Sequence, residues 1–124
     1  MSLDAFVVDQ GDRARLAQQF PPKFADFIGH HVTHRFGVRP DPQATYGETV
    51  TVHVVGYACN DAGLEAFLVS VNGTTSRPDG KLYHLTWSLN RNAGFKPVDS
   101  GELVRGLIQP ITPPIPISTI FQHL

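Results

Sequence analysis

The stretch from Leu82 to Val104 reads LYHLTWSLNRNAGFKPVDSGELV and begins with an apolar run in which polar residues alternate with large hydrophobic ones. Because side chains of a β-strand point alternately to its two faces, His84, Thr86 and Ser88 are predicted to share one face. The apolar residues between them would then pack into a core. The stretch therefore predicts a strand with one polar face and one buried face.

The same order of histidine, apolar residue and threonine occurs earlier, as His31-Val32-Thr33 within the segment GHHVTHRFGV. Arg35 follows two positions later and is predicted to share the face of His31 and Thr33. Imidazoles take up and release protons near neutral pH, and hydroxyl and guanidinium groups can donate hydrogen bonds to phosphate oxygens. We therefore expect two strands that together bind a phosphate group and move protons on either side of it.

Paired H-h-T motifs, in which h is an apolar residue, resemble those of the two-histidine (2H) phosphoesterase superfamily. The second motif and its continuation, HLTWSL…GFKPVDSGELV, are similar to the branch that contains the cyclic phosphodiesterase domains of tRNA ligases and related phage proteins. The resemblance extends from about His30 to Val104. The chain is shorter than these relatives before the first motif and between the two motifs.

His31 and His84 are accordingly predicted to be the catalytic residues of a hydrolase. One histidine would take a proton from the attacking water, and the other would protonate the departing oxygen from the far side. Which of them is the acid stays open. This mechanism assigns no role to a metal or a cofactor. The residues expected to bind the substrate phosphate are Thr33, Thr86, Arg35 and Ser88.

The expected substrate is a cyclic phosphate, above all a 2′,3′-cyclic phosphate in a nucleotide or at an RNA end, which would place the protein in RNA processing. The resemblance to tRNA-ligase domains implies opening to a 2′-phosphate with a free 3′-hydroxyl. The resemblance to phage proteins instead allows degradation of a cyclic di- or oligonucleotide signal.

Two alternatives lie outside catalysis. The first is a nucleotide-binding module on the same scaffold that captures its ligand without turnover. The second is an interaction protein in which both motifs are accidental and a Pro-rich tail docks a partner.

Two further histidines, His30 and His34, extend the first motif to His-His-x-x-His, which invites a metal-binding interpretation. Strand alternation places both on the face opposite His31, so a single ion could not readily bind all three. The remaining ligands of a tetrahedral site would have to come from elsewhere. Cys59 is the only cysteine, which leaves no internal disulfide and no thiolate metal site. We therefore expect no metal.

The composition narrows the classes of function further. A chain of 124 residues, 41% hydrophobic and 17% charged, is expected to form a single soluble domain over residues 1–124. Ten basic and eleven acidic residues give a net charge of −1. The sequence contains no run of basic residues, which argues against a surface that binds duplex nucleic acid broadly. Neither a membrane span nor a secretion signal is recognisable, so we expect a cytoplasmic protein, and a monomer.

We expect an α+β fold, with antiparallel strands forming two facing lobes related by a pseudo-twofold axis around a central groove. The predicted elements are a strand over 3–8, a helix over 9–20 capped by Asp9, motif strands beginning near residues 30 and 82, a hairpin over 48–59 and 64–71, a helical turn at Asp99 and a strand over 107–111. From about residue 110 to 124 the chain is expected to be an extended Pro-rich tail, along the surface or against a partner.

Overall fold

The computed structural model describes residues 2–124 and consists mainly of antiparallel β-strands. Within these residues, seven strands and two short α-helices follow one another. They are β1 (Leu3–Val8), α1 (Gln10–Gln19), β2 (Asp26–Phe27), β3 (His31–Phe36), β4 (Thr49–Asn60), β5 (Leu64–Ser70), β6 (His84–Leu89), α2 (Ser100–Leu103) and β7 (Gln109–His123). Two 3₁₀ turns, Arg91–Ala93 and Pro97–Asp99, connect β6 to α2.

Six of the strands close into a barrel. Around the barrel the order is β6, β3, β1, β7, β4 and β5, and β5 pairs back with β6. The short β2 pairs with β6 and extends the wall beside β3. The predicted antiparallel pairing with few helices is thus confirmed. Within residues 2–124, however, the sheet closes on itself instead of dividing into two separate facing sheets, and the motif strands β3 and β6 are direct neighbours.

The alternation of side chains decides which residues fill the barrel. In β4, Val52 and Val54 are completely buried, whereas Thr51 and His53 are exposed. Complete burial of an apolar side chain of this kind stabilises the fold by about 1.5–3 kcal/mol. The largest fully buried side chains of the interior are Trp87, Phe67 and Leu85.

A second, smaller apolar cluster lies on the outer side of the barrel, where α2 covers part of the wall. Val104, at the end of α2, packs with Ala58 of β4 and Ala66 of β5. The helical turn begins near Asp99 as predicted, but the Asp99 carboxylate accepts a hydrogen bond from the backbone N–H of Lys96 and does not cap α2. The outer face of β6 consequently lies beneath α2 and the turn before it.

The N-terminal helix α1 follows the sequence prediction closely. Asp9 caps it, since its carboxylate accepts a hydrogen bond from the backbone N–H of Asp12 at 3.0 Å. The helix ends just before Phe20, whose carbonyl accepts a hydrogen bond from the indole of Trp87 at 2.9 Å. Neither helix found in residues 2–124 has the length and apolar character needed to cross a bilayer.

The Pro-rich C-terminal segment is extended, as predicted, but its expected position as a surface tail is wrong. It forms most of β7, which pairs with β4 along one side and, from Thr119 onward, with β1 on the other. Before Thr119, the side of β7 that faces β1 has no strand partner among residues 2–124. On the other side, the pairing of β7 with β4 is irregular between Val54 and Gly56. A missing N–H is tolerated along such an unpaired edge and at such an irregularity. The prolines that occupy this half of the strand are Pro110, Pro113, Pro114 and Pro116.

Candidate active site

The two H-h-T motifs lie side by side in the barrel wall. Val32, the middle residue of the first motif, pairs with Leu85, the middle residue of the second, and both are completely buried. Because side chains alternate along each strand, the residues flanking this pair point to the outer face of the barrel. An antiparallel pair has a local twofold axis, which here relates one motif to the other. The residues that this pairing brings to one surface are His31, Thr33, His84 and Thr86.

The pairing of β3 and β6 is irregular next to the first histidine. The backbone N–H of Gly29 donates to the carbonyl of Thr86 at 2.9 Å, whereas Val32 pairs with Leu85. Two residues of the first strand, His30 and His31, therefore stand opposite a single step of β6. Such a bulge redirects side chains, and bulges are frequent beside active sites.

His31 is neutral at physiological pH. Burial, together with the unfavourable interaction of a protonated ring with His30 and His84, lowers the pKa of His31 to about 4. Its Nδ1 lies 2.9 Å from Nδ1 of His30, so one of these atoms donates a proton that the other accepts. The pairing of Val32 with Leu85 places the two motif histidines on neighbouring strands.

His84 is held in one orientation. Its Nδ1–H donates to the carbonyl of Leu82 at 3.1 Å, which leaves the lone pair of the neutral ring on Nε2. Burial lowers the pKa of His84, and the positive charges of Arg77 and Lys81 lower it further. The hydrogen bond to Leu82 raises the pKa but does not offset these effects. The ring packs against α2, since a methyl group built on Gly101 would lie 3.7 Å from its Cε1. His84 is therefore a neutral base with one free nitrogen.

A surface depression of about 380 Å³ surrounds His84 on the side of α2. Lys81 and Arg105 contribute positive charge to its lining, and Glu102 contributes negative charge. Arg105 is paired with Glu102 at 3.7 Å in an exposed ion pair, which leaves Lys81 as the cation available to a ligand. His31 does not line the depression and lies beside it on the neighbouring strand.

The hydroxyl groups of the two motif threonines have different surroundings. Thr86 is buried, and its hydroxyl donates to the carbonyl of Pro97 at 3.3 Å and shares a hydrogen bond of 2.8 Å with Ser100. The Thr33 hydroxyl is half-buried and forms no hydrogen bond with another group of residues 2–124. Of the two predicted phosphate donors, Thr33 is thus free, and Thr86 is engaged by the segment before α2.

The other two predicted phosphate-binding residues differ in exposure. Arg35 is exposed at the end of β3, and its charge adds to the effect of burial in lowering the pKa of His34. Ser88 is completely buried; its hydroxyl donates to Glu65 at 2.6 Å and accepts from the backbone N–H of Phe24 at 3.1 Å. A phosphate on the outer surface could not reach Ser88 without moving that segment, so the geometry gives Ser88 a structural role.

The remaining histidines of the first motif do not assemble with His31 into a metal site. His34 lies on the inner side of β3, where its Nδ1 is 2.8 Å from the Tyr83 hydroxyl and the two rings stack in parallel. His30 contacts His31 alone among the histidines. Across residues 2–124, no three His, Cys, Asp or Glu side chains are grouped so that they could hold a metal ion.

Sequence reasoning did not assign a role to three residues around His84 and Thr86: Lys81, Ser100 and Arg105. Ser100 belongs to the continuation of the second motif, which is the signal that could have suggested it. Lys81 lies only three residues before His84, whereas Arg105 is brought to the histidine by the position of α2 over β6, which no local pattern signals.

Comparison with protein-family models, with curated proteins and with solved structures finds no match to this chain. The resemblance to 2H phosphoesterases therefore depends on the paired motifs of the sequence alone.

Proposed function

We propose that the protein is a metal-independent phosphodiesterase that hydrolyses a cyclic phosphate, in particular a 2′,3′-cyclic phosphate at an RNA end or in a nucleotide. The observation that carries this proposal is the pairing of Val32 with Leu85, which gathers two imidazoles and two hydroxyls on one outer surface. An acid, a base and hydrogen-bond donors around one point are the groups that phosphodiester hydrolysis requires.

We extend the proposal to the fold. The pseudo-twofold relation expected between two lobes of a 2H phosphoesterase would correspond, in this chain, to the local twofold between β3 and β6. The groove would then be the outer surface around these strands, with the depression beside His84 as one part of it. The equal spacing of histidine and threonine on both strands supports this correspondence.

In the proposed reaction, water attacks phosphorus while one imidazole removes its proton. The bond from phosphorus to one ribose oxygen breaks, and the second imidazole supplies the proton that the departing oxygen needs. His84 suits the role of base, because its Nδ1 is fixed on the Leu82 carbonyl and its Nε2 carries the free lone pair. His31 would then be the acid.

An imidazole with a pKa of about 4 is protonated to only about 0.1% at pH 7, so His31 needs a partner that favours its charged form. A phosphate anion beside the ring would supply that effect, since an opposite charge within a few ångströms favours the protonated form. Substrate binding would therefore charge the acid at the site where it is used.

The hydroxyl of Thr33 is free to donate a hydrogen bond to a non-bridging phosphate oxygen, whose negative charge rises in the transition state. Thr86 could act in the same way only after its hydrogen bonds to Pro97 and Ser100 had changed. Lys81 would add positive charge next to His84. A single available cation suits a substrate with one reacting phosphate better than a long strand, which normally needs several cationic contacts.

A second candidate is a nucleotide-binding module without turnover. Two observations favour it: both motif histidines have lowered pKa values, and the Thr86 hydroxyl is already committed to protein groups. In that case the surface would capture a phosphate without completing the proton transfers. Degradation of a cyclic di- or oligonucleotide signal is the catalytic alternative.

The test is product analysis with a short RNA that ends in a 2′,3′-cyclic phosphate, beside a panel of 3′,5′-linked cyclic dinucleotides. We expect the RNA end to open to a 2′-phosphate with a free 3′-hydroxyl, in the presence of a strong chelator. The His31→Ala/His84→Ala double variant, purified in parallel, controls for a contaminating nuclease. Cleavage confined to the cyclic dinucleotides moves the protein to the signalling alternative. Saturable binding without turnover supports the binding module. The proposal is overturned if the protein shows no binding and no cleavage of any of these substrates.

A further inference from the structure

A second cavity, of about 550 Å³, lies at the junction of α1, β4, β5 and the start of β7. Its volume falls within the range of small-molecule sites. Most of its walls are apolar or aromatic, from Phe20, Pro21, Tyr57 and Ile111. It shares no lining residue with the depression beside His84.

Glu65 lines this cavity although the residue is almost completely buried. One oxygen, Oε1, accepts hydrogen bonds from the backbone N–H of Lys23 at 2.8 Å and from the Ser88 hydroxyl at 2.6 Å. The other, Oε2, accepts a hydrogen bond from the hydroxyl of Tyr57. A carboxylate has about four acceptor positions, so one position on Oε2 remains for a ligand.

All three groups in contact with the Glu65 carboxylate donate hydrogen bonds to it. Burial and the hydrogen bond to Glu65 raise the pKa of Tyr57 well above its usual range, so this hydroxyl stays a donor. Lys23 also lines the cavity, but its ammonium is turned toward Asp61, from which its Nζ is 3.2 Å distant. Glu65 is therefore the charged lining residue that has no oppositely charged partner within residues 2–124.

The walls add a preference for shape. The rings of Phe20 and Tyr57 are nearly parallel, with centroids 6.1 Å apart and an interplanar angle of 20°. Aromatic faces attract cations and pack against flat rings. A flat ligand that carries its positive charge on N–H groups would satisfy both the walls and the carboxylate.

We propose that this cavity binds a small planar cation with N–H donors, such as an amidinium, a guanidinium or a protonated aminoheterocycle, with Glu65 as its anionic partner. This site is independent of the proposed phosphodiesterase reaction, and neither depends on the other.

The test uses benzamidine as the probe. Benzamide, which is neutral and has nearly the same shape, is the matched control ligand. Trp87 is the only tryptophan, and its indole donates to the carbonyl of Phe20 in the cavity wall, so its fluorescence reports on occupancy. Backbone amide shifts of Lys23 and Tyr57 in NMR spectra give a second readout. We expect saturable binding of benzamidine and at least about 10-fold weaker binding of benzamide, because a charged hydrogen bond is lost.

Two variants decide the role of the cavity. Glu65→Gln keeps the shape of the side chain but removes its charge, and it should weaken benzamidine binding at least about 10-fold. Glu48 is an exposed glutamate outside the cavity, so Glu48→Gln should leave benzamidine binding unchanged. Ile111→Trp fills the cavity with Glu65 intact and should abolish binding, which keeps the test valid if Glu65→Gln fails to fold. Equal affinity for benzamide, no saturable binding of benzamidine, or full affinity in Ile111→Trp overturns the proposal.

Discussion

Val32 and Leu85 face each other across β3 and β6, and each is the central residue of a histidine–apolar–threonine triplet. Both side chains are completely buried, so they anchor the two triplets in the barrel wall while the flanking polar residues face outward. The buried pair therefore sets the position of the two histidines on the barrel surface. This relation makes the following expectations specific.

Replacing either motif histidine should remove most of the turnover. We expect His31→Ala and His84→Ala each to lower kcat by about 10²–10⁴, the usual contribution of a general acid or base. The double variant should lose little more than the worse single variant, because groups that act in one step are not additive. His53→Ala, an exposed histidine on β4, is the matched control and should retain full activity in steady-state assays. A single variant with normal kcat would remove that histidine from the mechanism.

The pH dependence of kcat/KM should be bell-shaped with an acidic optimum. One imidazole must be neutral and the other protonated; the pKa of His31 is about 4, and that of His84 is lowered from its usual value near 6.5. Activity should therefore peak between about pH 4 and 6.5 and fall about tenfold per pH unit on the alkaline side. Rates measured across pH 4–9 in buffers of constant ionic strength check this. A plateau that extends above pH 8 would contradict the assignment of an imidazolium acid.

The two threonines should separate into a functional and a structural residue. Thr33→Val removes a free donor and should lower kcat/KM about tenfold with little effect on stability. Thr86→Val leaves the buried Ser100 hydroxyl without its partner and should lower the free energy of unfolding by about 1–3 kcal/mol. Urea unfolding gives the stability, and Ser100→Ala, which removes the other partner, is the comparison. Equal effects of both threonine variants on stability would speak against this division.

Asp4 should make stability depend on pH. Burial by itself would raise the pKa of Asp4, but hydrogen bonds from Tyr46 and His123 outweigh it, so the pKa is lowered in the folded state. The stabilisation is therefore present above the unfolded pKa of about 3.9 and is lost as the pH falls through the lower folded value. We expect Asp4→Asn to cost about 1–3 kcal/mol at pH 7 and clearly less near pH 2–3, measured by urea unfolding at both pH values. The same cost at both would exclude this linkage.

The strand β7 should be essential for folding. Ile117 is 2% exposed, and Ile117→Ala should lower the free energy of unfolding by about 2–5 kcal/mol. A chain that ends at residue 107 lacks the strand between β1 and β4 and should not give a cooperative thermal transition. Leu107→Ala, at a residue that is 99% exposed, is the neutral control. A folded truncated chain would show that the barrel does not need this closure.

Local patterns were sufficient for the elements whose interactions are close in sequence. Asp9 caps α1, and the alternation in β4 separates buried Val52 and Val54 from exposed Thr51, because each property depends on neighbouring residues. The closure through β7 was not predictable in this way. Four prolines argue against a central strand, because proline has no N–H for a second neighbour. They are tolerated here because that half of β7 pairs with β4 but has no partner strand on its other side among residues 2–124.

The same limit applies to the site. Alternation predicted the outward faces of His31 and His84, but their proximity depends on pairing between strands 53 residues apart, which the sequence does not specify. The bulge at His30 and His31 has no local signal either. Ser88 lies two residues after Thr86 and was predicted to share its face. It is buried against Glu65, because the segment at Phe24 covers that end of β6.

The prolines of β7 have a consequence for behaviour in concentrated solution. A closed barrel offers few free strand edges, and the first half of β7 is a place where an edge remains without a strand partner among residues 2–124. An exposed edge with a full set of N–H donors can recruit a strand from another copy and start aggregation. Pro114 and Pro116 follow the alternation of Ser118, whose backbone groups face this side, and so remove donors from this edge. The proline content that made β7 resemble a tail in the sequence thus also makes this edge a poor template for a strand from another copy.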